Sequence, residues 1–235
     1  MSDMVLEVDG IHTFIGQFHI LEGVNVAVRQ GEITVLLGRN GAGKTTTLRS
    51  VMGLANVRTG DIRFYGKSIR QMPAYRIAQL GIGYVPEHRA IFRDLSVAEN
   101  LKIAERSPGD LARRQDFIYS IFPDLERLRH LGGGQLSGGQ QQMLSVARAL
   151  VPENRLLLID EPSEGLAPVI IEQMMRAIRE LSARMTILLV EQNFRMASEL
   201  ADRFVIIEEG QSVFSGPMSD LVGNDELINR YLGAA

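Results

Sequence analysis

The 235-residue chain is 45% hydrophobic, 23% charged and 6% aromatic, long enough to bury a core without covalent staples. Its 25 basic and 28 acidic residues leave a formal net charge of -3, which argues against a strongly basic nucleic-acid binder. With no cysteine, disulfide scaffolds, thiolate nucleophiles and Cys-ligated metals are excluded.

His12, His19, His88 and His130 are too scattered for a metal motif. The longest apolar runs fall far short of the ~18 residues of a membrane-spanning helix, and the opening MSDMVLEVDG carries acids where a signal peptide needs a basic flank. A soluble, intracellular, globular protein is expected.

In chain order, residues 1–30 alternate apolar and polar (Val5, Glu7; Val24, Val26, Val28) and predict antiparallel strands interrupted at Gly23. Ile33–Leu37 is a continuous apolar run, as in a parallel strand buried on both faces. A Gly-rich turn and a helix over 44–54 follow. Further apolar strands are predicted at 81–85, 155–159, 186–190 and 203–207, with helices at 168–182 and 194–200. This alternation predicts an α/β doubly wound sheet with ligands at the carboxyl ends of its strands. Residues 88–151 show three helical patterns (97–105, 111–121, 140–151) and no strand, which predicts a helical insertion. The break at Leu131-GGGQ-Leu136 reads as its most flexible stretch. A last helix is expected near 225–232.

Gly38-Arg-Asn-Gly-Ala-Gly43-Lys44-Thr45 matches GxxxxGK[ST], placed between a strand and a helix as a phosphate-binding loop requires. From the chain's own composition, a chance match is expected roughly 0.003 times. The glycines turn backbone N–H groups toward phosphate oxygens, and the helix start adds partial positive charge. Gly38, Asn40, Gly41, Ala42, Gly43, Lys44, Thr45 and Thr46 are therefore the expected ATP-binding residues. Lys44 reaches the β- and γ-phosphates, and the Thr45 hydroxyl ligates Mg2+.

Arg155-Leu-Leu-Leu-Ile-Asp160-Glu161-Pro162 ends an apolar strand with two acids. Alone, two acids after a strand read as readily as a solvated turn as a catalytic pair. Beside a phosphate loop, Asp160 is expected to hold the magnesium and Glu161 to act on the attacking water. Leu136-Ser137-Gly138-Gly139-Gln140 opens a helix with a serine cap and two glycines. One loop already serves the phosphates, so this second anion-binding helix start predicts a site completed by another subunit's nucleotide.

The phosphate loop, LSGGQ and LLLIDEP, in this order, resemble those of the ATP-binding cassette (ABC) ATPases over essentially the whole chain. The resemblance implies one ABC nucleotide-binding domain over 1–235. It comprises a P-loop NTPase (RecA-like) core (1–87 and 152–223) with an antiparallel β subdomain, an inserted helical subdomain (88–151) and a C-terminal helix (224–235). It implies a head-to-tail dimer, homo- or heterodimeric, in which Ser137, Gly138, Gly139 and Gln140 of one subunit close over ATP held by the other. It also implies Mg2+-dependent hydrolysis at Glu161.

Some family positions are filled unusually. Glu87, in Gly83-Tyr-Val-Pro-Glu87, stands where the family has glutamine and is expected to reach the metal or the water. Gln192 stands in place of the usual histidine: it can donate to the γ-phosphate but cannot carry a proton as imidazolium. Ala167 takes the position of an aspartate. Ile15 aligns with the adenine-stacking tyrosine, and neighbouring Phe14 is the candidate for that role.

VPE, SEGLAP and VEQN together resemble the ATP-binding subunits of branched-chain amino acid importers, the LivF-type branch. Urea and amide importers look similar. This narrower likeness implies transmembrane permease subunits docking around 87–95 and 132–134, with Ile91 and Phe92 as an apolar floor. It also implies a solute-binding protein, no nucleic-acid partner, and a peripheral position on the cytoplasmic side of the inner or plasma membrane. The competing expectation is a soluble ABC ATPase acting on a macromolecular partner. The paired domains, coiled-coil insertions or basic arms that such proteins commonly carry are missing from the sequence.

Overall fold

In a computed structural model, which describes residues 3–233, the core is a six-stranded sheet. The strands are β3 (Ile33–Leu37), β6 (Ile82–Val85), β7 (Leu156–Asp160), β8 (Thr186–Val190), β9 (Arg203–Glu208) and β10 (Gln211–Pro217). Their order is β10-β9-β3-β8-β7-β6, parallel throughout except for β10, which pairs antiparallel with β9. Alternate residues face opposite sides of a strand, and here both sides are buried. Val35, Leu157, Ile159, Ile187 and Leu189 join one cluster, whereas Leu36, Leu156, Leu158, Leu188 and Val190 join another. That is why these strands read as unbroken apolar runs.

The first cluster is completed by α6 (Gly138–Leu150), α7 (Pro168–Ser182) and α8 (Phe194–Leu200). The second is completed by α1 (Lys44–Val51) and by a smaller antiparallel sheet. That sheet has the order β2-β1-β4-β5, built from β1 (Met4–Ile15), β2 (Phe18–Arg29), β4 (Asn56–Phe64) and β5 (Lys67–Ser68). β2 runs on through Gly23, but the expected interruption is present as a register irregularity there: Ile11 pairs with Val24 and His12 with Glu22, which leaves Gly23 (φ +96°) unmatched. A further shift lies between Thr13 and Phe14. The short helix α2 (Ala74–Gln79) precedes β6.

Between β6 and β7 lies the helical insertion: α3 (Val97–Lys102), α4 (Asp110–Ile121), α5 (Pro123–Arg127) and α6. The three expected helices are present, with α5 in addition. Ser96 and Ser137 cap α3 and α6 through reciprocal bonds with Glu99 and Gln140, each satisfying two otherwise orphaned N–H groups. The Leu131–Leu136 segment is ordered by packing rather than loose. Gly133–Gln135 forms a 3-10 turn, Gly133 N–H donates to the Leu95 carbonyl at 2.8 Å, and Gly134 N–H to that of Arg93 at 2.9 Å.

The chain closes with α9 (Met218–Leu221) and α10 (Asp225–Leu232). No helix among the described residues is long and apolar enough to cross a membrane.

Candidate functional site

The strand–loop–helix β3–α1 places Gly38–Thr45 at the carboxyl end of the central sheet. Gly43 has φ +112°, and a Cβ there would lie 2.6 Å from Leu21 Cδ2. Glycine therefore permits both the turn and the close approach of β2. A cavity of about 410 Å3 opens here. It is lined by Asn40, Gly41, Gly43, Lys44, Thr45 and Thr46 of the loop, by Glu87, Glu161, Glu164 and Gln192, and by Ile15 and Ile20 of the β1–β2 hairpin. An adjoining cavity of about 770 Å3 shares Asn40, Glu161, Glu164 and Gln192 and reaches Ile228 and Leu232 of α10.

Lys44 is buried, its ammonium donating to the carbonyls of Gly38 at 2.9 Å and Arg39 at 3.1 Å. It also lies 3.5 Å from a Glu161 oxygen. Glu161 follows the last residue of β7 with φ +45°, a left-handed conformation that is strained for a non-glycine residue. Its N–H donates to the Val190 carbonyl at 2.9 Å, which tethers it between β7 and β8. The Gln192 amide donates to both of its carboxylate oxygens at 2.8 Å.

Asp160 is fully buried. It accepts hydrogen bonds from Thr45 Oγ1 at 3.0 Å and from the Tyr84 hydroxyl at 3.2 Å. Burial holds its carboxyl above the ordinary range, opposed by those two hydroxyls. Burial and the Asp160 charge likewise raise the Tyr84 phenol. Thr45 and Asp160 thus set two hard oxygen donors side by side, the donor type that magnesium takes.

Glu87 lines the same cavity as Thr45; among the described residues no three His, Cys, Asp or Glu side chains converge as a metal cage. Glu87 also shares a hydrogen bond with Glu164, whose carboxyl is raised by desolvation and by the Glu87 and Glu161 charges.

Phe14 does not line the cavity. Its ring is stacked on His19 at 4.2 Å between centroids, and the Arg58 guanidinium covers it at 3.8 Å. The stacking surface expected there is already occupied. Ser137–Gln140 lie outside the cavity as well, at the start of α6. There a Cβ on Gly139 would come 2.7 Å from Ile170, and one on Gly138 3.1 Å from the Arg89 guanidinium. Of the expected docking floor, Ile91 packs on the core while Phe92 stays half exposed beside the Arg148 guanidinium at 5.0 Å.

Sequence reasoning missed Glu191, the buried acid between β8 and Gln192. It accepts from Ser163 N–H at 3.1 Å, Ser163 Oγ at 3.0 Å and the N–H groups of Gln192 and Asn193 at 3.0 Å. One carboxylate thereby joins the loop after Glu161 to the loop carrying Gln192. An acid directly after an all-apolar strand was the available signal.

Comparison with known proteins agrees with this geometry. The ABC transporter family model matches residues 21–164. The high-affinity branched-chain amino acid transport ATP-binding protein BraG of Pseudomonas aeruginosa is 38% identical over 232 residues, 97% of this chain and 100% of the relative. The lipopolysaccharide export ATP-binding protein LptB of Escherichia coli K12 is 33% identical over 219 residues, 91% of each. Among solved structures, an ATP-binding cassette of an ABC transporter in its ADP conformation superposes with a TM-score of 0.87 at 24% identity, covering 98% of this chain and 99% of that one. An ATP-binding subunit of an ABC transporter superposes with a TM-score of 0.81 at 29% identity, covering 98% and 95%. A nucleotide-binding loop with its lysine, hydroxyl and paired acids assembled on this fold, and matched along nearly the full length, places the chain in the ABC transporter family as an ATP-binding ATPase.

Proposed function

We propose that this chain is the ATP-hydrolysing subunit of a membrane importer for branched-chain amino acids, working as a dimer bound to separate permease subunits. The observation that carries the ATPase chemistry is the Lys44–Glu161–Gln192 cluster facing the phosphate loop. The solute class rests on relatives named as branched-chain amino acid transport proteins, BraG and a LivF of Archaeoglobus fulgidus that is 35% identical over 221 residues. It also rests on the VPE, SEGLAP and VEQN motifs.

The loop amides and Lys44 bind the triphosphate, the Glu161 carboxylate takes a proton from water as its oxygen attacks the γ-phosphorus, and the bond to ADP breaks. Gln192 holds that carboxylate in line. Thr45 and Asp160 would hold Mg2+, which when bound neutralises charge on the β- and γ-phosphates. Because Ser137–Gln140 stand outside the cavity of their own chain, a second subunit supplies them across a head-to-tail dimer. Closure then depends on ATP and opening on hydrolysis. A solute-binding protein delivers the cargo to the permease, and the ATPase sits peripherally on its cytoplasmic face.

A tagged pull-down from solubilised native membranes tests this reading. Two polytopic membrane proteins, with or without a second ATPase, are the expected catch. Their solute-binding protein should bind leucine, isoleucine or valine. Recovery of soluble partners alone would leave the ATPase and remove the importer. Recovery of lipopolysaccharide-export components would move the assignment to the LptB-like reading that the 33% identity favours.

A further inference from the structure

A separate cavity, of about 380 Å3, lies where the antiparallel sheet meets the central one. It touches the first residues of β3 and β9, the ends of those strands opposite the phosphate loop, together with parts of β1 and β2. Asn25 N–H donates to Ser212 Oγ at 2.9 Å and holds β2 against β10 beside it. None of its lining residues is shared with the phosphate cavity.

Two groups of the central sheet line it without partners. Thr34 is 1% exposed, and its hydroxyl makes no hydrogen bond among the described residues, a costly state for a buried polar group. The register pairs Thr34 with Arg203 on the neighbouring strand, so the two side chains share a face. Arg203 is half-buried, and its guanidinium has neither an ion pair nor a hydrogen bond among the described residues. From the antiparallel sheet comes Glu7. Arg63 lies directly across from it, but that guanidinium is already held by Asp9 at 3.3 Å and Asp61 at 3.2 Å. Glu7 is left without an ion pair among the described residues. The cavity thus presents one unpaired cation and one unpaired carboxylate that do not reach each other. A ligand carrying both charges satisfies both at once, and Val8, Val26 and Val205 supply an apolar remainder. The volume is at the small end of the roughly 300–1,000 Å3 usual for ligand sites.

We propose that this cavity binds a free α-amino acid with a short aliphatic side chain. The ligand carboxylate takes the Arg203 guanidinium and the Thr34 hydroxyl, its ammonium takes Glu7, and its side chain lies against the valines. A phosphate ester is disfavoured, because Glu7 and Asp9 line the same cavity. The site stands apart from the ATPase reading. Its occupant bridges the two sheets, so binding makes the fold harder to denature.

Titration calorimetry of the full chain with leucine tests this, beside isocaproate, which lacks the ammonium, and isoamylamine, which lacks the carboxylate. Leucine should bind and raise the denaturant midpoint. Each analogue should bind about tenfold more weakly, the order of one hydrogen bond to a charged group. Arg203→Gln and Glu7→Gln should each lose about tenfold in leucine affinity, while ATP affinity holds in both. Thr34→Val removes the orphaned hydroxyl: it should weaken leucine several-fold yet leave the unliganded chain at least as stable, a pairing that a purely structural threonine would not give. No leucine binding, an equally tight fit for isocaproate, or normal leucine affinity in both Gln variants would each overturn the proposal while the ATPase reading stands. A wild-type chain that binds leucine but not ATP would overturn the ATPase reading alone.

Discussion

The side-chain amide of Gln192 lies 2.8 Å from both carboxylate oxygens of Glu161, while the Lys44 ammonium approaches one of them at 3.5 Å. The carboxylate is thus oriented from two sides, by the Gln192 amide and by the Lys44 ammonium. An amide that only donates here restrains Glu161 without competing for the proton of the attacking water. Gln192→Ala should slow turnover by about tenfold, the order of one hydrogen bond to a charged group, with little change in ATP affinity. Single-turnover hydrolysis alongside equilibrium ATP binding checks this, and a matching drop in affinity would assign Gln192 to binding instead.

Glu161→Gln removes the proton acceptor and keeps the shape. The expected result is a turnover loss of about a hundredfold or more, with ATP retained and the dimer trapped under ATP. Light scattering of the variant at saturating ATP, with partners present, reads the trapped state.

Lys44→Ala acts differently because the ammonium braces the loop itself, through the carbonyls of Gly38 and Arg39. Both nucleotide affinity and rate should fall. The contrast between Lys44→Ala, weak in ATP binding, and Glu161→Gln, normal in binding, is the decisive pattern. Titration calorimetry with ATP on both variants measures it.

Much of this site was legible because its signals are local. A glycine-spaced loop between an apolar strand and a helix is a contiguous string, and β3, β7 and β8 announce themselves by being apolar at every position. The hairpin register was not legible, because it depends on which residue lies across the turn. Thr13 pairs with Leu21 but Phe14 with His19, and that one-residue shift leaves Ile20 unmatched and sets Phe18 opposite Ile15. Phe14 was expected only as the neighbour of Ile15, the position that aligns with the family's tyrosine. The contact of Glu87 with Glu164 was not legible either, because the two acids lie far apart in sequence and only the fold brings them together. The glycine run at 132–134 reads as loose in sequence, yet the carbonyls of Arg93 and Leu95 hold it in place.

Glu191 ties two catalytic loops together through four hydrogen bonds. Glu191→Gln puts an N–H2 where acceptors are needed. It should cost about 1–3 kcal/mol at neutral pH, with a loss of rate as the Glu161 and Gln192 loops uncouple. Burial raises the Glu191 carboxyl above the ordinary range, against the pull of those bonds. The folded state therefore holds the proton more tightly than the unfolded state, and the linked stability is fully present below the unfolded value and lost as pH rises through the folded value. The stability of the wild type relative to Glu191→Gln should accordingly shrink as pH rises from about 4 through that window. Denaturant midpoints across pH test it, and a constant difference would deny the shift.

Gly210 joins the phosphate loop to the hairpin, and the two cannot move apart while it does. Its φ is +77°, and a Cβ there would collide with the Ile20 carbonyl, so alanine is disfavoured by conformation and by space alike. Gly210→Ala should cost about 1–3 kcal/mol, visible as a lower denaturant midpoint. It should also push the hairpin tip off the phosphate loop.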